Sequence, residues 1–76
     1  MHITIDDLEP GQKATITSLA GLPIHIRQKF IDMGLSKGVE IIFIHRAPLG
    51  DPVWLRLRGY DLAFRRNLAA KIVVSR

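Results

Sequence analysis

Ala47-Pro48-Leu49-Gly50-Asp51-Pro52, followed by Val53-Trp54-Leu55-Arg56-Leu57-Arg58-Gly59, is the stretch that decides the fold of this 76-residue chain. Prolines at 48 and 52 hold φ near about −65° and remove two backbone donors, while Gly50 and Asp51 tolerate the positive φ that a reversal needs. The first six residues therefore read as a hairpin tip. Strict alternation after it sends Val53, Leu55 and Leu57 to one face of a strand and Trp54, Arg56 and Arg58 to the other. The first face builds core, and the second meets solvent or a partner.

The same punctuation continues on both sides. Ser36-Lys37-Gly38 turns the chain into Val39 to Arg46, apolar on both faces and therefore a central strand. Downstream, Gly59-Tyr60 reads as a tight reversal into Leu62 to Arg65. Asn67 to Ala70 has room for one helical turn, and Ile72-Val73-Val74 is β-branched enough for a last strand. Upstream, Pro10-Gly11 opens an alternating strand over Gln12 to Leu19, with Ala14 and Ile16 inward and Thr15 and Thr17 outward. Pro23 suits the first turn of a helix over 23–33, in which Ile26, Phe30 and Met33 form a stripe. Ile24 and Ile31 widen that stripe, Arg27, Gln28 and Asp32 face water, and Gly34 supplies the left-handed stop. Five short strands at a spacing of roughly ten residues predict a mainly β, SH3-like five-stranded barrel with one inserted helix. The alternative is a small α+β roll with the helix packed on an open sheet.

The length predicts a single domain over 1–76 that buries roughly 60% of its unfolded surface, too little for a deep cleft between lobes. Cysteine is absent, so disulfides, thiolate zinc sites and a cysteine nucleophile are excluded, and a reducing compartment fits. The longest mainly apolar run, Val39 to Ile44, is far short of the ~20 residues a membrane span requires. The opening Met1-His2-Ile3-Thr4-Ile5-Asp6-Asp7 lacks the basic start and long apolar middle of a secretory signal, so a cytoplasmic location is expected. Residues 1–38 carry four cations and four acids; residues 39–76 carry Arg46, Arg56, Arg58, Arg65, Arg66, Lys71 and Arg76 against Glu40, Asp51 and Asp61, so the whole excess of +4 lies in the second half. Such asymmetry suits an acidic partner, nucleic acid or an anionic membrane face. It also suits a merely solvated barrel that guards its sheet edges with charge.

Little in the chain carries chemistry. His2, His25 and His45 are the only imidazoles, and their positions near the start, on the helix and at a strand end lack the spacing of a preformed metal cluster. Asp6, Asp7 and Glu9 offer an all-oxygen carboxylate set for a divalent metal, although acids beside a Pro-Gly turn more often keep a loop solvated. No glycine-rich phosphate cradle or nucleophile elbow is present, and Ser18 and Ser36 have no base at a recognisable spacing, so no enzyme is expected. The candidate surface is a partner-binding one: Trp54 as anchor, Arg56 and Arg58 as acid-facing flanks, and Leu49-Gly50-Asp51 as a second contact. A basic barrel face with one aromatic is also the arrangement that binds nucleic acid. Trp54 can instead cover a barrel end or mediate self-association as a homo-oligomer.

Asp32-Met33-Gly34-Leu35, Gly38, Ala47-Pro48-Leu49-Gly50-Asp51-Pro52, Arg58-Gly59 and Leu62 to Arg65, in that order, closely resemble the ferrous iron transport protein A (FeoA) family. The match runs from Leu8-Glu9-Pro10-Gly11 to Ile72-Val73-Val74. This resemblance implies a cytoplasmic SH3-like barrel, similar to the C-terminal domain of some iron-dependent repressors, which assists a membrane ferrous iron permease carrying a cytosolic GTP-binding domain. It implies association with ferrous iron, and neither catalysis nor a bound cofactor. The chain departs from the family at Phe64-Arg65-Arg66-Asn67-Leu68, where acidic residues are frequent, and at Lys37, where proline is frequent.

Overall fold

The computed structural model describes residues 2–76. A short strand β1 (Ile3–Thr4) runs into a 3-10 turn over Ile5–Asp7, and then come β2 (Lys13–Ser18), helix α1 (Ile24–Asp32), β3 (Glu40–Arg46), β4 (Val53–Leu57), β5 (Tyr60–Phe64), a one-turn helix α2 (Arg66–Ala69) and β6 (Val73–Ser75). All pairings are antiparallel, in the order β1-β6-β2-β3-β4-β5. The five expected strands and the inserted helix are all present. The sixth strand, β1, sets Ile3 against Val74 and Thr4 against Val73. Two residues cannot display alternation, which is why sequence pattern does not reveal this strand.

Alternation within each strand builds the core. Ala14 and Ile16 of β2, Ile41 and Phe43 of β3, and Val53, Leu55 and Leu57 of β4 are all buried. With Ile5, Leu8, Leu35, Ile72 and Val74 they form one apolar cluster, and no charged or polar side chain is buried among the described residues. Each fully buried Leu, Ile or Phe contributes roughly 1.5–3 kcal/mol relative to an exposed one.

Helix α1 starts after Pro23 and ends at Met33 and Gly34, where φ is +99°. Its inward face is narrower than the sequence suggests. Phe30 is buried and meets Phe64 at 5.0 Å between ring centroids, tilted by 54°. Ile26 packs on the core, whereas Ile24 is 75% exposed and Ile31 and Met33 also face solvent. One helix on one small sheet contacts it along a single stripe, so Ile24 and Ile31 sit on the far side. Arg27, expected in water, folds back and donates to the carbonyls of Leu22 and Ala20 at 3.0 and 3.4 Å. The Tyr60 hydroxyl donates to the Met33 carbonyl, tying the end of α1 to the start of β5.

A second tie draws the ends of the sheet together. The Asp6 carboxylate accepts from Arg46 Nη1 at 2.7 Å and from Arg66 Nε at 3.1 Å. Arg46 also donates to the carbonyls of Asp6 and Leu8 and lies over the Phe43 ring, 4.9 Å from its centroid. The 3-10 turn is thereby fastened both to the end of β3 and to α2.

Candidate functional site

The outer face of β3, β4 and β5 carries the candidate residues. Burial along Val53–Leu57 alternates strictly, so Trp54 and Arg56 do point away from the core. Trp54 keeps 36% of its surface in solvent. On its β3 side, a register shift between Phe43 and His45 brings His45 opposite Trp54. The imidazole and indole stack at 5.8 Å between centroids with planes 23° apart. His45 Nδ1 lies 3.1 Å from the Arg46 carbonyl oxygen. The bulge hides this partnership from sequence reading, because it breaks the mirror relation that paired positions keep about a hairpin tip.

Arg56 is engaged within the chain. Its Nε and Nη2 donate to Asp61 Oδ1 and Oδ2 at 2.7 and 3.2 Å, across the β4–β5 pair. Hydrogen bonding to Asp61, reinforced by its charge, raises the Arg56 guanidinium above its ordinary value; hydrogen bonding to Arg56, reinforced by the guanidinium charge, holds the Asp61 carboxyl below its own. The expected acid-facing flank is thus a neutralised pair. The signal was available: positions 56 and 61 are symmetric about a turn at 58 and 59.

Arg58 does not share the strand face that alternation assigns to it. Strand β4 ends at Leu57, and Arg58 and Gly59 form the turn itself, with φ of +49° and +85°. Positive φ at both central residues is the two-residue hairpin turn whose twist matches the flanking strands. The reversal is therefore Arg58-Gly59 rather than Gly59-Tyr60, and Tyr60 opens β5 opposite Leu57.

The hairpin tip stands apart from this face. Leu49 is 97% exposed, and Gly50 takes the positive φ, +91°, that the sequence divided between Gly50 and Asp51. The Gly50 N–H donates to the Ala47 carbonyl at 2.7 Å. Asp51 Oδ1 accepts the Arg66 backbone N–H at 2.9 Å, and the following Asp51-Pro52 peptide is cis. Arg66 is therefore the joint between the tip, α2 and the 3-10 turn. Asp51, Pro52, Ala63, Phe64 and Arg65 line a surface depression beside this joint.

Among the described residues, no three histidines, aspartates or glutamates come together to hold a metal. Asp6 is taken by two arginines, Asp7 by the Thr4 N–H and hydroxyl, and His45 Nδ1 by the Arg46 carbonyl. No helix among the described residues is long and apolar enough to cross a membrane. Arg58, Arg65, Lys71 and Arg76 form no ion pair within the described residues. On the outer face of β4 this leaves the Trp54–His45 stack flanked by the Arg56–Asp61 pair.

Known proteins resemble this arrangement throughout its length. The FeoA domain model matches residues 3–76. A Porphyromonas gingivalis protein described as an Fe(2+) transport protein A/Fe(2+) transporter FeoB fusion is 36% identical over 70 residues, which are 92% of this chain and 8% of that protein. The chain thus spans under a tenth of that relative's length. The solution structure of the FeoA protein from Chlorobium tepidum superposes with a TM-score of 0.91 at 33% identity, covering 96% of this chain and 69% of the other. The crystal structure of Stenotrophomonas maltophilia FeoA with zinc, described as a prokaryotic SH3 domain protein, gives a TM-score of 0.81 at 24% identity over 96% of this chain and 89% of that one. The last likeness bears on fold alone.

Proposed function

Because the chain belongs to the FeoA family, whose members serve ferrous iron transport, we propose that it is a cytoplasmic accessory module that docks on the cytosolic region of a GTP-binding ferrous iron permease and modulates it. It carries no chemistry and no resident metal of its own, and ferrous iron is the cargo of its partner. One observation carries the choice of surface: Trp54 stands outward on β4, a third of it still in solvent, braced by His45. The fusion of both parts in the Porphyromonas gingivalis relative supports the partner.

The accessible third of an indole whose full burial removes ~150–250 Å² from water is worth roughly 1–2 kcal/mol on docking, about tenfold in affinity. The test titrates the isolated cytosolic region of the permease against the wild type and Trp54→Ala, with the amide spectrum of each reporting the fold. About tenfold weaker binding by a folded variant supports the reading; equal binding removes Trp54 as the anchor. The rival in which a basic face binds nucleic acid loses Arg56 to Asp61 and keeps only cations placed off the Trp54 row. Titrating an oligonucleotide at two salt concentrations tests it, since phosphate-driven binding weakens steeply with salt.

A further inference from the structure

Strand β5 is an edge. It pairs with β4 alone, and its outer side borders no other strand. The parity of its free groups follows from the turn. Arg58-Gly59 is a two-residue turn, so Leu57 and Tyr60 close it as a hydrogen-bonded pair, and Leu55–Leu62 and Val53–Phe64 repeat that pairing. The N–H and C=O groups of Tyr60, Leu62 and Phe64 are therefore spent on β4. Those of Asp61 and Ala63, and the Arg65 N–H just beyond the strand, point outward.

Exposed edges are ordinarily guarded by lysine, proline, a bulge or extreme shortness. The other edge, β1, is two residues long. Tyr60–Phe64 has five residues with no lysine and no proline, its register with β4 is unbroken, and its one acid is neutralised by Arg56. The sequence of this edge is also complementary to itself. In an antiparallel pairing of two copies about Ala63, Asp61 of each lies opposite Arg65 of the other, on the outer face.

We propose that β5 pairs with β5 of a second copy of this chain, antiparallel and two-fold symmetric about Ala63. Ala63 N–H and C=O bond their counterparts reciprocally, and each Arg65 N–H reaches the second copy's Asp61 carbonyl, for four main-chain bonds. The Arg65 carbonyl contributes none, because it already accepts Leu68 and Ala69 N–H at 3.0 and 3.2 Å. On the outer face, the second copy's Arg65, unpaired in the single chain, joins Asp61 opposite Arg56. Trp54 lies opposite Ala63 in the β4–β5 register, so the two indoles fall in one row, separated by three strand spacings of about 4.8 Å each, or roughly 14 Å. The dimer would present two Trp54–His45 stacks on one continuous sheet.

The test uses the whole chain in sedimentation velocity over concentrations on the order of 10 µM to 1 mM, the range suited to a small interface. An isotope-filtered NMR spectrum of a mixed labelled and unlabelled sample accompanies it. The expected result is a concentration-dependent rise toward the dimer, with an intermolecular contact between the Leu62 and Phe64 α-protons, which face each other in this register. Ala63→Pro removes an N–H that β4 does not use, and edge strands tolerate such a proline; it should keep the chain monomeric throughout. Arg65→Glu places like charges opposite each other and should weaken association severalfold without touching the core. A monomer at 1 mM overturns the proposal. So does a dimer whose intermolecular contacts fall on Trp54 or on α1, or one that survives both substitutions.

Discussion

Replacing Asp6 by asparagine tests whether the closure of this sheet rests on a charged clasp between residues far apart in sequence. The side chain keeps its shape and loses its charge. In the wild type it is 18% exposed and receives Arg46 at 2.7 Å and Arg66 at 3.1 Å, with Arg46 itself 29% exposed and Arg66 57% exposed. The two bonds are not equal. The Arg66 bond lies largely in water, where such pairs are worth ~0–1 kcal/mol, whereas a half-buried charged bond is worth roughly 1.5–3 kcal/mol. Arg46 keeps its bonds to the Asp6 and Leu8 carbonyls after the substitution, so the guanidinium is not stranded and the cost stays below the ~3–5 kcal/mol of a broken, fully buried pair. The expected loss is about 2 kcal/mol. For a domain of this size that lowers the melting temperature by roughly 8–16 °C. Urea unfolding followed by circular dichroism supplies the free energy, and a double-mutant cycle with Arg46→Met apportions it. A stability change of less than about 0.5 kcal/mol for Asp6→Asn, or additivity of the two substitutions, refutes the clasp.

Three further outcomes follow from single contacts. Asp61, held below its ordinary pKa by Arg56, favours the folded state above the unfolded carboxylate value and loses that contribution as pH falls through the lower folded value; Asp61→Asn should therefore flatten stability against pH on the acid side, and an unchanged acid limb in a urea series refutes it. Gly34→Ala should cost roughly 1–3 kcal/mol in thermal unfolding, because the residue sits at φ +99° and a Cβ would stand 3.1 Å from the Tyr60 hydroxyl oxygen. Leu49→Asp, at a position 97% exposed, should leave stability within about 0.5 kcal/mol, so a larger drop on calorimetry would show that the tip packs on something.

Most of the architecture is legible because the sheet obeys period two wherever a strand is long enough to show it. Val53–Leu57 and Lys13–Ser18 display it cleanly, and Pro48, Gly50 and Gly34 mark the reversals at which the chain turns. What escaped has physical causes. Ile3–Thr4 is too short for a period, and its partners lie some seventy residues away. Ile24 and Ile31 look like core because apolar residues at helical spacing usually are, but one helix on a small sheet buries one stripe. At the candidate site, the outward placement of Trp54 is legible from parity. Its bracing by His45 depends on a bulge, and the retirement of Arg56 depends on where the next turn falls.

Five of the seven acids of this chain are occupied at home. Asp6, Asp61, Asp51, Asp7 and Asp32 each accept a hydrogen bond from the chain's own donors, while Arg58, Arg65, Lys71 and Arg76 point their charge at no acid among the described residues. The net charge of +4 makes the far field of the molecule cationic, although beside Trp54 the Arg56–Asp61 pair is neutral. A partner with an acidic surface would be drawn in by that field at a rate that falls as ionic strength rises. The lifetime of the encounter, set by how well the indole is covered, would respond to salt only weakly.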